Sequence, residues 1–214
     1  MNELEQAKMI LTQMGVVITD SHVVYPSGKH GSTYVEKDLL YPYPWKTARL
    51  CGIIADHFCD DNVRVVIAPS ADGIALSQWT AHFLSLPIGA PEILAVHADE
   101  VEGDIVISRV YEKFIRDKRV LVVDHSLTTD SVVKDTVKAA RSAGGIVVGV
   151  GVLCNCCGGT ALDLAGVPKT LAVVNTPFDS WNEEDCPLCK QGVPVNTDVG
   201  KGREFLDAKM LYQA

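Results

Sequence analysis

Apolar positions recur along this chain with two different periods, and the elements they predict alternate. Residues 2–14 set Leu4, Ala7, Ile10, Leu11 and Met14 on one side of a helix that Gly15 closes. Residues 45–60 repeat the helical period with Ala48, Cys51, Ala55 and Phe58. After the turn signal Asp60-Asp61-Asn62, the β-branched run VRVVIA (63–68) predicts a buried strand. A helix over 73–84 and a strand over 93–98 follow, and IVIS (105–108) is a short strand candidate set off by the acidic turn DEVEGD. RVLVVD (119–124) is the strongest buried-strand signal. Beyond a polar loop, residues 131–143 are helical, with Val133, Val137 and Ala140 on one face and Gly144-Gly145 stopping the helix. GIVVGVGVLC (145–154) and TLAVVN (170–175) complete the strands.

Strands separated by helices of this length argue for an α/β fold, a parallel twisted sheet flanked by helices. Ligands of such sheets bind at the carboxyl ends of the strands. No repeat, low-complexity tract or linker divides the 214 residues, so the chain reads as a single domain over 1–214. Trp181, Pro187, Pro194 and several glycines interrupt the pattern near the end and predict a small irregular lobe. Segment 1–42 and the cysteine-containing segment 176–214 are expected to form that lobe together.

Composition narrows the function. Charged residues make up 21% against 47% hydrophobic, the balance of a globular chain rather than a disordered one. Nineteen Lys and Arg face 27 Asp and Glu, a formal net charge of -8 that argues against a nucleic-acid partner. No apolar run reaches the ~20 residues of a membrane span, and MNELEQAKMI does not read as a signal peptide. A cytoplasmic protein is expected, with its seven cysteines reduced or binding metal rather than paired as disulfides.

Candidate chemistry concentrates in RVLVVDHSLTTDSVVKDTVKAARSAGG (119–145). A buried strand delivers Asp124 to the sheet's end, and a hydroxyl-rich turn then leads into a helix. Free backbone N–H groups, hydroxyl donors and the positive end of the helix dipole make such a turn an anion site suited to phosphate. The same Thr128, Thr129 and Ser131 also suit a plain helix cap.

VLVVDHSLTTDSV resembles the phosphoribosyl-pyrophosphate (PRPP) loop of type I phosphoribosyltransferases. SGKHGSTYVEKDLLYP (27–42) is similar to the N-terminal segment of the orotate phosphoribosyltransferase-like branch. APSADGIAL (68–76) resembles its pyrophosphate loop, and CPLCKQGVPV (186–195) a C-terminal element of part of that branch. The resemblance spans the chain in order. It implies transfer of phosphoribosyl from PRPP, with Mg2+, to the nitrogen of a pyrimidine base such as orotate, in a homodimer whose mobile loop reaches the partner's site. Asp124 would hold the ribose hydroxyls, and Arg109 stands where the family keeps a basic residue after that loop. Thr128, Thr129, Asp130 and Ser131 would form the 5-phosphate turn. Ser70, Ala71, Asp72 and Gly73 would lie against the pyrophosphate, and Lys29, His30, Tyr34 and Lys37 would face the base or adjacent phosphates.

Five positions depart from the family pattern. His125 replaces the second acid, Asp130 the glycine of the phosphate turn and Asp72 a glycine of the pyrophosphate loop. His97-Ala98-Asp99-Glu100 lacks the mobile-loop lysine, and Cys156 follows Asn155 where an arginine is common. A carboxylate ~4 Å from a phosphate costs about 4 kcal/mol per unit charge at an effective dielectric of 20. Two functions therefore stand side by side: a PRPP-dependent transferase, and a catalytically silent ligand-binding or regulatory protein on the same fold. His97, Lys113 or a partner-subunit residue is the expected substitute if catalysis persists.

Cys154 and Cys157 form one C-x-x-C and Cys186 and Cys189 another, with 28 residues between the pairs. This spacing fits a four-cysteine structural zinc site, or else a separate CPLC turn without metal. A zinc-bearing lobe would also serve as a metal-dependent interaction surface. Cys51 and Cys59 read as small core residues. His22, His57 and His82 lack any partner spacing and read as surface or core residues.

Overall fold

The computed structural model describes residues 3–128, 132–156, 166–176 and 179–213. The chain opens with helix α1 (Glu3–Gln13) and four two-residue strands, β1 (Val17–Ile18), β2 (Val23–Val24), β3 (His30–Gly31) and β4 (Tyr34–Val35). Helix α2 (Pro44–His57) starts with Pro at its first turn, where the missing N–H costs nothing. Then come β5 (Val65–Ala68), α3 (Ile74–Ser85), β6 (Leu94–His97), the strands β7 (Asp99–Val101) and β8 (Asp104–Val106), and α4 (Arg109–Ile115). Strand β9 (Arg119–Leu127), α5 (Val132–Ser142), β10 (Ile146–Asn155), β11 (Thr170–Asn175), β12 (Ser180–Trp181), α6 (Pro187–Lys190) and α7 (Gly202–Gln213) complete the order.

The five long strands pair in parallel in the order β11-β10-β9-β5-β6. The expected parallel α/β architecture is therefore present. Alternate residues of each strand face opposite sides, so the sheet has two cores. Val66, Ala68, Leu121 and Val123 meet Leu50, Ile54, Phe58 and Leu76 of α2 and its neighbours. Val65, Ile67, Val120 and Val122 meet Ile115 of α4 and Val133, Val137 and Ala140 of α5. Burying each such side chain contributes about 1.5–3 kcal/mol. Gly149 lets α2 come down onto β10, because a Cβ there would run into the Phe58 ring and the Lys169 carbonyl.

Several elements differ from the sequence expectation. The acidic stretch is a β-hairpin rather than a bare turn, with β7 antiparallel to β8 and positive φ at both Glu102 and Gly103, as two-residue hairpin turns require. The C-terminal region carries the regular helix α7. Strand β12 joins β3 and β2 in an antiparallel three-stranded sheet, so residues from both chain ends share one small sheet.

Candidate functional site

At the carboxyl end of β5, Pro69 is buried and Ser70 is extended before a 3-10 turn over Ala71–Gly73 that feeds directly into α3. Gly73 donates its N–H to the Ser70 carbonyl at 3.0 Å. A Cβ on Gly73 would stand 2.6 Å from the Ala68 Cβ, so only glycine lets the turn close this tightly over the strand. Asp72 belongs to this turn; its side chain lies outside the described part.

Strand β9 runs beside that turn and carries Asp124. It extends three residues past the expected end at Asp124, because β10 continues to pair with it through Cys154 opposite Ser126 and Asn155 opposite Leu127. The Cys156 N–H then donates to the Leu127 carbonyl at 2.9 Å. Period-two alternation puts Asp124 on the face of Val120 and Val122, where it is only 2% exposed. A buried carboxylate needs compensation. The His125 backbone N–H supplies it at 2.7 Å. The His125 ring places Nδ1 2.8 Å from the Asp124 carboxylate, without the alignment of a hydrogen bond. His125 thus touches Asp124 through both its backbone and its ring. Thr128 follows, half-buried; Thr129, Asp130 and Ser131 lie outside the described residues.

Beside these ends, His97 closes β6 with Nε2 3.6 Å from Asp99 and its ring edge against Tyr111 at 5.3 Å. The β7–β8 hairpin leans on α5 and carries no lysine or arginine. Arg109 is exposed in the first turn of α4, where the helix dipole disfavours a cation, so its charge is not there for the helix. Cys156 is buried, and Asn155 donates its side-chain amide to Asn175 at 2.9 Å.

The N-terminal candidates separate. Lys29 is exposed in the turn between β2 and β3, and Lys37 is half-buried with Nζ 3.8 Å from Asp38. Tyr34 stacks on Tyr25 at 6.5 Å. The Tyr25 hydroxyl donates to the Thr33 carbonyl at 2.7 Å, and burial pushes its pKa up to about 12. His30, expected among the substrate-binding residues, is fully buried with Nδ1 toward His22 and Cys189 and its ring edge against Phe205.

The four-cysteine set does not assemble among the described residues. Cys154 lies in the hydrophobic core, where burial raises its pKa to about 12, and Cys157 lies outside the described residues. Cys186 and Cys189 instead face His22 and His30, all four ligand atoms lying within 4.8 Å of one another. Sequence reading missed His22 because its sulfur partners are over 160 positions away, beyond any local motif.

The sequence is 33% identical over 186 residues to an orotate phosphoribosyltransferase of Pelotomaculum thermopropionicum, covering 87% of this chain and 92% of the relative. It is 33% identical over 179 residues to that of Caldanaerobacter subterraneus, covering 84% and 88%. The fold is similar to solved orotate phosphoribosyltransferases. That of Aeropyrum pernix aligns with a TM-score of 0.57 and 21% identity over 79% of this chain and 93% of the other. That of Mycobacterium tuberculosis in complex with PRPP gives 0.52 and 18% over 81% and 88%. No family model matches the sequence.

Proposed function

The chain belongs to the orotate phosphoribosyltransferase family, and from that premise we propose that it transfers phosphoribosyl from PRPP to a ring nitrogen of orotate. The nitrogen lone pair forms the new bond to the anomeric carbon while the carbon–oxygen bond to pyrophosphate breaks, the oxygen keeping the electrons, and the proton of that ring nitrogen passes to the departing pyrophosphate or to water. The ribose ring gains cationic character in between, so the protein's work is positioning and charge stabilisation. The observation that carries this reading is the buried carboxylate of Asp124 beside the glycine-closed Ser70–Gly73 turn. Together they combine a ribose-hydroxyl acceptor with a backbone turn fit for an anion.

PRPP enters as its magnesium complex. Mg2+ takes oxygen ligands and keeps several waters, a demand that the Asp124 carboxylate suits. Thr128, Thr129 and Ser131 hold the 5-phosphate, with Asp130 among them in the sequence. Tyr34, Lys37 and Lys29 meet the base and the adjacent phosphates. Segments 1–42 and 176–214 form the lobe over the strand ends. The protein acts as a cytoplasmic homodimer, and Arg109 or a partner-subunit cation meets the leaving pyrophosphate that the lysine-free β7–β8 hairpin leaves unattended.

Calorimetric titration with PRPP and Mg2+, followed by an orotate-consumption assay, tests this. Saturable one-to-one binding and orotate-dependent release of pyrophosphate are expected. No binding heat at millimolar PRPP, with no orotate consumed, would reject the reading and leave the non-catalytic alternative standing.

A further inference from the structure

Four metal-seeking side chains converge beside the small β12-β3-β2 sheet. His22 and His30 come from the edges of β2 and β3, Cys186 immediately precedes α6 and Cys189 lies within it. His22, His30 and Cys186 are buried and Cys189 is partly buried. The His22 Nδ1 atom lies 2.7 Å from the Val193 carbonyl, which only accepts, so that nitrogen carries the proton. The neutral ring then turns the lone pair of Nε2 into the cluster. It lies 2.9 Å from His30 Nδ1, 3.5 Å from Cys189 Sγ and 3.7 Å from Cys186 Sγ. Cys189 Sγ is in turn 3.3 Å from His30 Nδ1.

We infer that His22, His30, Cys186 and Cys189 hold a structural zinc ion. A tetrahedron with metal–nitrogen bonds of about 2.05 Å and metal–sulfur bonds of about 2.3 Å has nitrogen–sulfur edges of about 3.6 Å. Three of the four nitrogen–sulfur separations, at 3.3 to 3.7 Å, bracket that edge. Thiolate and imidazole together select zinc over magnesium or calcium. Two thiolates also cancel the charge of a divalent ion, so the filled site is neutral, as its burial requires. The Nδ1–H of His22 on the Val193 carbonyl is the outer hydrogen bond that fixes a ligand imidazole's tautomer. Four protein ligands close the coordination sphere, which makes the ion structural rather than catalytic. A surface groove lined by Glu183, Cys189, Phe205 and Lys209 reaches the cluster at Cys189 and gives the metal a way in. The ion would pin the β2–β3 hairpin to the CPLC turn, fixing to each other two segments that lie far apart in the sequence.

X-ray absorption at the zinc edge of the wild-type chain, with elemental analysis, tests the ligand set without any variant. One zinc per chain, with two sulfur neighbours at about 2.3 Å and two nitrogen neighbours at about 2.0 Å, is expected. Cys154→Ser should keep its zinc, whereas His22→Gln and Cys189→Ser should lose it. Chelation should lower the melting temperature by at least roughly 5 °C. A four-sulfur shell, loss of zinc in Cys154→Ser alone, or a chain that stays metal-free after exposure to excess zinc would overturn the assignment. Metal content is read independently of orotate turnover, so either proposal can fail without the other.

Discussion

Asp124 sits where the alternation of β9 would otherwise place a valine, and among the described residues its next residue offsets the charge. A fold does not keep a carboxylate buried among valines for stability. Asp124→Asn preserves shape and removes the charge, so kcat/KM for PRPP should fall by about 100-fold or more. The melting temperature should hold or rise; wild-type turnover in this variant would remove Asp124 from the reaction. Burial lifts the Cys51 and Cys154 thiols to about 12. A group whose folded pKa is raised contributes stability that is intact below its unfolded value and is lost as pH climbs through the folded one. The melting temperature should therefore decline from about pH 9 toward 12, less steeply in Cys154→Ala. At pH 8 a thiol reagent should label exposed Cys59 at once, and Cys51 and Cys154 only on unfolding. Asp124 and the CPLC pair could be read from the sequence because a strand pattern and a short spacing mark them. His22 could not, since only the folded β2–β3 hairpin brings it to the cysteines.

At the scale of elements, legibility followed length. The sheet strands each carry a run of buried β-branched residues, and the expected spans for β5, β6, β10 and β11 lie within two residues of those observed. Strands β1 to β4 have two residues each, too few to show a period, and exist only through their pairing. The far end of β9 was hidden for a related reason: His125, Ser126 and Leu127 read as loop, and pairing with β10 keeps them in the sheet. Within β10, Gly149 and Gly151 form the contact surface for Ile54 and Phe58 at the end of α2. Gly149→Val should therefore cost about 1–3 kcal/mol as Phe58 is displaced, lowering the melting temperature by roughly 2–10 °C without changing the ligand profile. A variant of wild-type stability would mean that α2 shifts freely across the sheet.

The whole molecule carries the consequence of its charge. The net charge is -8, and the β7–β8 hairpin near the carboxyl end of the sheet adds Asp99, Glu100, Glu102 and Asp104 with no basic residue among them. PRPP remains an anion even with magnesium bound, so the long-range field opposes its approach while the site itself must attract it. These two effects have different ranges. The field between exposed charges is screened over about 10 Å at 0.1 M salt and about 30 Å at 0.01 M, whereas hydrogen bonds from a helix start or a glycine turn act at contact and are screened far less. Raising ionic strength from about 0.01 to 0.15 M with a salt of weakly binding ions should thus increase kcat/KM for PRPP, by roughly two- to five-fold. An enzyme that drew PRPP in through a lysine-bearing mobile loop would show the opposite slope. A fall with salt here would place a cation such as Arg109, or one from the partner subunit, over the entrance in the working assembly, and Arg109→Gln would then abolish the salt dependence.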